Sequence, residues 1–255
     1  MADKKGVSIR FLSLSLGRKL ARILKALISP ALYHGHARWC PVCEKHSRKF
    51  LRFGAGKRED ARCPRCGSLE RHRLAWLYFT RKTDLFAGAS RKMLHIAPEP
   101  CLMPRFRRFL GDDYLSADVQ DPAAMVRVDV TSLPFAGESF DVIFCSHVLE
   151  HVADDRKALR EFFRVLKPKG WLVLLVPVSA RRTLEDPTIV DGNERKRIFG
   201  QEDHVRRYGP DYVERVEQAG FTVKVVRPDD VCRTGEIGRM GLAAVMDEIC
   251  RCDKA

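Results

Sequence analysis

The sequence predicts an α/β protein: a doubly wound parallel sheet, a small cysteine-bound module ahead of it and a leading amphipathic helix. Three observations predict it. Short apolar strands alternate with helical segments from Lys92 onward, the signature of a doubly wound sheet. Two Cys-x-x-Cys pairs precede that pattern. The length of 255 residues suits one full-sized domain plus an appendage. The resulting division is 1–36 for the helical segment, 37–75 for the cysteine module and 76–255 for the α/β domain.

The formal net charge of +13 is unevenly spread. Residues 1–92 hold 22 Lys/Arg against 6 Asp/Glu, and residues 93–255 hold 24 against 27. A basic front of this kind suits an anionic partner such as RNA, a lipid surface or a phosphorylated substrate, with plain surface solubility as the alternative. Residues 8–33 read as a helix. Leu16, Leu20, Ile23, Leu24, Leu27 and Ile28 recur on one face, and Arg18, Lys19, Arg22 and Lys25 fill the other. Ser29-Pro30 ends or kinks it. The same cations break the apolar run that a secretory signal or a spanning helix requires. The expected compartment is therefore cytoplasmic and reducing, where paired cysteines hold metal more often than they form disulfides. The helix fits an anionic membrane surface, which would make the protein peripheral to the membrane, or equally a protein partner.

Cys40-Pro-Val-Cys43 and Cys63-Pro-Arg-Cys66 stand 19 residues apart. Each knuckle lets two thiolates converge on one tetrahedral ion, and the loop between them brings the pairs face to face. The spacing predicts a zinc-ribbon-like module with a structural Zn2+ on Cys40, Cys43, Cys63 and Cys66. Four protein ligands leave no coordination position open for catalysis. A helix follows over Leu69–Thr83. Strands are expected at Met93–Ala97, Tyr114–Asp118, Met125–Asp129, Asp141–Cys145, Trp171–Val176 and Phe221–Val226, with a last one near Glu248–Cys252. Helices are expected at Asp154–Leu166 and Pro210–Ala219, and Lys167-Pro-Lys-Gly170 reads as a tight turn.

One stretch is more specific. It runs Asp129-Val-Thr-Ser-Leu-Pro-Phe135, Ser139-Phe-Asp-Val-Ile-Phe-Cys-Ser-His-Val-Leu-Glu-His151 and Arg164-Val-Leu-Lys-Pro-Lys-Gly-Trp171. These motifs resemble the class I methyltransferases of the type 11 group, over about residues 92–226. The cysteine pairs, Gly67-Ser-Leu-Glu-Arg-His72 and Gly200-Gln-Glu-Asp-His-Val-Arg-Arg-Tyr-Gly209 are similar to an uncharacterised subgroup of that layout. The resemblance implies a Rossmann-like sheet binding S-adenosylmethionine across the carboxyl ends of its strands. It places Asp118 on the ribose diol, Asp129 on the adenine amino group, the Val130 backbone beside the ring, and Ser146 and His147 at the mouth where donor and acceptor meet. For Asp118 the alternative is a solvated turn aspartate.

The first loop departs from the family. Leu94-His-Ile-Ala-Pro-Glu-Pro-Cys101 lacks the usual glycines. Small Ala97 is expected to allow close approach of the donor, and Glu99 to take its ammonium. An alcohol acceptor would need a base, for which His147 and His204 are the candidates; His151 is expected to pack or cap. Arg206 and Arg207 are expected to grip an anionic group, or else belong to a polar loop. The expected function is methyl transfer to a small-molecule or glycan-like acceptor. The rival readings are an RNA methyltransferase that holds RNA on its basic front, disfavoured because the module lacks an aromatic stacking set, and a non-catalytic donor-binding scaffold.

Overall fold

The computed structural model describes residues 32–54, 56–88, 90–243 and 248–255. The helix expected over 8–33, and with it the membrane or protein partner, lies outside the described residues apart from its last positions. No helix among the described residues is long and apolar enough to cross a membrane.

Two hairpins come first: β1 (Arg38–Cys40) with β2 (Lys45–Ser47), and β3 (Leu51–Phe53) with β4 (Arg58–Arg62), both antiparallel. Helix α1 (Glu70–Lys82) leads into the α/β layers, with Glu70 in its first turn and Arg81 and Lys82 in its last, each complementing the helix dipole. There follow β5 (Met93–Ile96), α2 (Met103–Leu110), β6 (Tyr114–Asp118), β7 (Val126–Arg127), β8 (Phe140–Ser146), α3 (Asp155–Val165) and β9 (Leu166–Leu175). An excursion then carries β10 (Leu184–Glu185), α4 (Gly192–Phe199) and β11 (Arg206–Arg207). The chain continues through α5 (Tyr212–Gln218), β12 (Thr222–Val226), two short helical turns and β13 (Ile249–Asp253).

Seven strands form one sheet in the order β12-β13-β9-β8-β5-β6-β7. The pairs β6/β7, β5/β6, β5/β8 and β8/β9 are parallel, whereas β13 is antiparallel to both β9 and β12. The sheet is therefore mixed, not purely parallel as expected. The tight turn expected at residues 167–170 is taken up in the start of β9.

Alternate residues of each central strand enter opposite layers, as strands covered on both faces must. Met93, Val142, Phe144, Trp171, Val173 and Leu175 join one apolar cluster with α1 and α2. Leu94, Ile96, Ile143, Cys145, Leu172 and Leu174 join the other with α3 and α5. Phe79 of α1 contributes most visibly to the first. Its ring lies 5.1 Å from Phe106, 5.1 Å from Phe144 and 5.9 Å from Trp171. Burying one such side chain stabilises by about 1.5–3 kcal/mol.

The cysteine module shares that first cluster through Cys40, Val42, Phe50 and Cys63. Residue 75, expected as a boundary, lies inside α1, which serves both parts. Arg73 on this helix is fully buried. Its guanidinium donates to the carbonyls of Ala61, Ser68 and Asp60 in the module, and to those of Met240 and Gly241 from the far end of the chain. It also lies 4.6 Å over the Phe50 ring. Gly241 is needed there: at φ +62° a Cβ would stand 2.6 Å from the Asp60 carbonyl.

Candidate functional site

The strand order reverses between β5 and β8, and in open α/β sheets ligands bind beyond the carboxyl ends of the strands at such a point. Both strand ends there carry a non-glycine residue in the left-handed region: Ala97 at φ 48° after β5 and His147 at φ 55° after β8. Each is held by a backbone bond across the sheet, Ala97 N to Ala117 O at 2.8 Å and His147 N to Leu175 O at 2.9 Å. An L-residue in this region costs about 1–2 kcal/mol, which the surrounding sheet must offset.

Glu99 lies just past Ala97 and is buried. Its Oε2 is 2.7 Å from His95 Nε2, and His95 Nδ1 is 2.9 Å from the Tyr114 hydroxyl. Burial pushes the Glu99 carboxyl up, but the hydrogen bond and charge of His95 and the charge of His72 outweigh it and bring the pKa down to about 2. Its second oxygen, Oε1, is buried with no hydrogen-bond partner among the described residues. It stands 3.9 Å from His72 Nε2, too far for a direct bond. His72 Nδ1 accepts from Leu69 N at 3.2 Å, and burial lowers the His72 pKa to about 4. The result is a carboxylate held ionised, with one oxygen free of hydrogen-bond partners among the described residues and facing the His72 ring.

The other expected donor contacts occupy neighbouring strand ends. Asp118 ends β6, half-buried, and its Oδ1 accepts from Gln120 N and Asp121 N at 2.6 and 2.7 Å. Asp129, beyond β7, is exposed and its Oδ1 accepts from Thr131 N and Oγ1 at 2.8 and 2.9 Å. Val130 and Ser146 are buried.

A cavity of about 920 Å3 adjoins His147. Phe53, Gly54, Gly56 and Arg58 wall it from the module, Glu70 and Arg71 from the start of α1, Pro177–Ser179 from the end of β9, and Lys196 and Gly200–His204 from the excursion. Two of the expected acid–base residues, His147 and His204, thus meet in one cavity. Glu70 is engaged by Arg58 at 3.0 Å. Arg71 Nε is buried without a hydrogen-bond partner among the described residues.

The expectation that Arg206 grips a ligand is corrected. Arg206 is 3% exposed and donates to the carbonyls of Leu149, Val152 and Ala153 and to Glu185 Oε2. Its fork is consumed in fastening the excursion to the turn before α3. Arg207 is exposed and donates to Ser179. His151 does not cap α3; Asp154 does, accepting from Lys157 N at 2.8 Å.

The four module cysteines converge. Their sulfurs all lie within 4.8 Å of one another, with Cys40–Cys66 at 3.7 Å and Cys43–Cys63 at 3.8 Å. A zinc–sulfur bond of about 2.3 Å gives a tetrahedron whose edge is about 3.8 Å. Both knuckles close with a residue in the left-handed region, Glu44 (φ 56°) and Gly67 (φ 77°). Backbone bonds from Glu44 N to Cys40 O and from Gly67 N to Cys63 O complete the turns at 2.8 and 3.0 Å. Hydrogen bonds from the other three cysteines lower the Cys40 pKa well below the thiol range.

Residues 101–174 match the methyltransferase domain family. Among curated relatives, a demethylmenaquinone methyltransferase of Clavibacter sepedonicus is 41% identical over 68 residues, 27% of this chain and 24% of that protein. An uncharacterized methyltransferase of Bacillus subtilis, YcgJ, is 37% identical over 75 residues, 29% of this chain and 28% of that one. The matches thus span about a quarter of the length of these relatives. An S-adenosylmethionine-dependent methyltransferase structure from Mesorhizobium loti superposes with a TM-score of 0.50 at 16% identity, covering 71% of this chain and 98% of that one. It shares the fold.

Several site residues were not picked out for a role from the sequence: His95, His72, Arg71 and Glu150. His95 did leave a signal, a histidine alternating into an otherwise apolar strand. Glu150 left none, since its environment comes from the excursion.

Proposed function

We propose that this protein is an S-adenosylmethionine-dependent methyltransferase whose acceptor is a small anionic molecule, and that a structural zinc ion bound by Cys40, Cys43, Cys63 and Cys66 holds one wall of its acceptor cavity. The observation that carries the donor assignment is Glu99. A buried, ionised carboxylate with an unused oxygen at the switch point suits the donor's α-ammonium. The family match and the shared fold support the same reading. Asp118 would take the ribose diol through Oδ2, because Oδ1 serves the turn. Asp129 and Val130 would border the adenine.

The donor supplies an electrophilic methyl group, so the chain's own task is mainly to position and exclude water. His95 fixes the orientation of Glu99. His147 and His204 line the acceptor cavity, and His147 would receive a proton from an acceptor hydroxyl.

Glu99→Gln keeps the shape of the side chain and removes its charge. It is expected to weaken donor binding by about ten- to a hundredfold in calorimetry, corresponding to about 1.5–3 kcal/mol for a hydrogen bond to a charged group. An unchanged dissociation constant would remove Glu99 from the donor site. The preference for an anionic acceptor rests on Arg71 on the cavity wall, whose buried Nε has no hydrogen-bond partner among the described residues. In an acceptor screen with labelled donor, anionic compounds should turn over. Arg71→Gln should then raise KM for them about ten- to a hundredfold with little change in kcat. Turnover of uncharged acceptors with KM indifferent to Arg71 would overturn that preference.

A further inference from the structure

We infer that Glu150, His151 and His204 form a second metal site, distinct from the four-cysteine cluster, that takes a divalent transition ion on the wall of the acceptor cavity. One ligand atom from each of these residues lies within 4.8 Å of the others. The rings of His151 and His204 stand 4.7 Å apart at 86°, edge to face rather than stacked.

The polar contacts behind these side chains favour particular atoms as ligands. His204 Nδ1 is 3.3 Å from the Phe199 carbonyl, which only accepts, so Nδ1 carries the proton and Nε2 a bare lone pair. That Nε2 is buried and has no partner among the described residues, in a side chain only 6% exposed. His151 Nδ1 lies 3.2 Å from Asp203 Oδ2, an arrangement that likewise leaves its Nε2 as the ligating atom. Glu150 is 1% exposed, with Oε1 3.3 Å from His147 Nδ1 and Oε2 buried without a hydrogen-bond partner among the described residues. Two buried lone-pair donors with nothing to accept from, and a third within reach, are costly unless a cation joins them. Carbonyl and carboxylate groups behind ligating imidazoles are the usual support of metal-binding histidines.

The scaffold is fixed in advance. Val205 N donates to Glu150 O at 2.9 Å, and Arg206 ties the same loop to Leu149, Val152 and Ala153. Two imidazoles and one carboxylate favour ions of borderline character such as Zn2+ or Co2+ over Mg2+ or Ca2+. Three protein ligands leave positions open. His204 and Asp203 line the cavity, so those positions face the space assigned above to the acceptor. A hydroxyl or phosphate oxygen of the acceptor is the ligand class they suit, and that last point alone depends on the methyltransferase reading.

The test uses Co2+ as probe, added to the full-length zinc-loaded protein with neither methyl donor nor acceptor present. About one equivalent should bind and give visible d–d absorption without thiolate charge-transfer bands, and Zn2+ should displace it. Glu150→Gln and His204→Gln should each weaken Co2+ binding by about tenfold or more, while Glu202→Gln, a cavity carboxylate outside the cluster, should leave it unchanged. Thermal unfolding checks that each variant is folded. If a buried variant unfolds, His151→Ala, at an exposed position, must show the same loss. No Co2+ binding to the wild type, thiolate bands only, or binding indifferent to all three ligand variants overturns the site. Because no donor is present, these outcomes are separate from any failure of donor binding by Glu99→Gln.

Discussion

Arg73→Met is expected to destabilise the protein by at least about 3–5 kcal/mol, the cost typical of breaking a buried charged network from one side. The guanidinium contacts five backbone carbonyls, three in the cysteine module and two at Met240 and Gly241. Methionine fills much of the volume but removes the guanidinium donors from those carbonyls, and each one left without another donor is a penalty of up to about 1–3 kcal/mol before water enters. Arg73→Lys should rescue little, because a compact ammonium cannot reach five acceptors spread around a planar fork. Denaturant unfolding followed by intrinsic fluorescence measures the loss. A shift below about 1 kcal/mol in the methionine variant would mean that Arg73 does not join the two parts.

Loss of the proposed zinc should be the other large effect. Cys63→Ser/Cys66→Ser is expected to abolish about one equivalent of tightly bound zinc and to strip residues 37–68 of hydrogen-exchange protection. Zinc binding to structural cysteine sites in small peptides is worth about 10–16 kcal/mol at neutral pH, so even a fraction of it dominates a domain of ordinary stability. The module offers little in its place, since its strands hold three to five residues each. The two effects are also coupled. Burial lowers the Arg73 pKa, and the charges of Cys40, Glu70, Cys63 and Cys66 oppose that shift. Four thiolates around Zn2+ leave a net charge of about −2 beside this cation. The double cysteine change should therefore cost less in an Arg73→Met background than in the wild type. A metal-free protein with a fully protected module would refute the zinc assignment.

Much of the architecture was legible because it depends on local pattern. The apolar runs at Asp141–Cys145 and Trp171–Val176 fall within or overlap the central strands β8 and β9, since burial on both faces leaves little choice of residue. The cysteine spacing brought four sulfurs together because a knuckle is a property of a few consecutive residues. Strand direction was not legible. The run near Glu248–Cys252 reads the same in either sense, and only its insertion between β9 and β12 makes the sheet mixed. Arg206 was misread for a related reason. As a sequence feature it is one basic residue in a polar loop. Its acceptors, Leu149, Val152 and Ala153, lie more than fifty residues away on a turn the loop must first reach. Glu150 and His204 are separated in the same way, so neither alone suggests a cluster.

The placement of β13 also has a consequence for biosynthesis. Among the described residues β12 pairs only with β13, and β9 waits for the same neighbour on its outer side. As the chain leaves the ribosome, the switch point between β5 and β8 can form early, from strands already translated. β12 emerges with nothing to pair with until Ile249–Asp253 follow and slide between it and β9. Throughout that interval β9 and β12 both present open edges that will lie inside the finished sheet, and the chain is then most exposed to pairing with another chain.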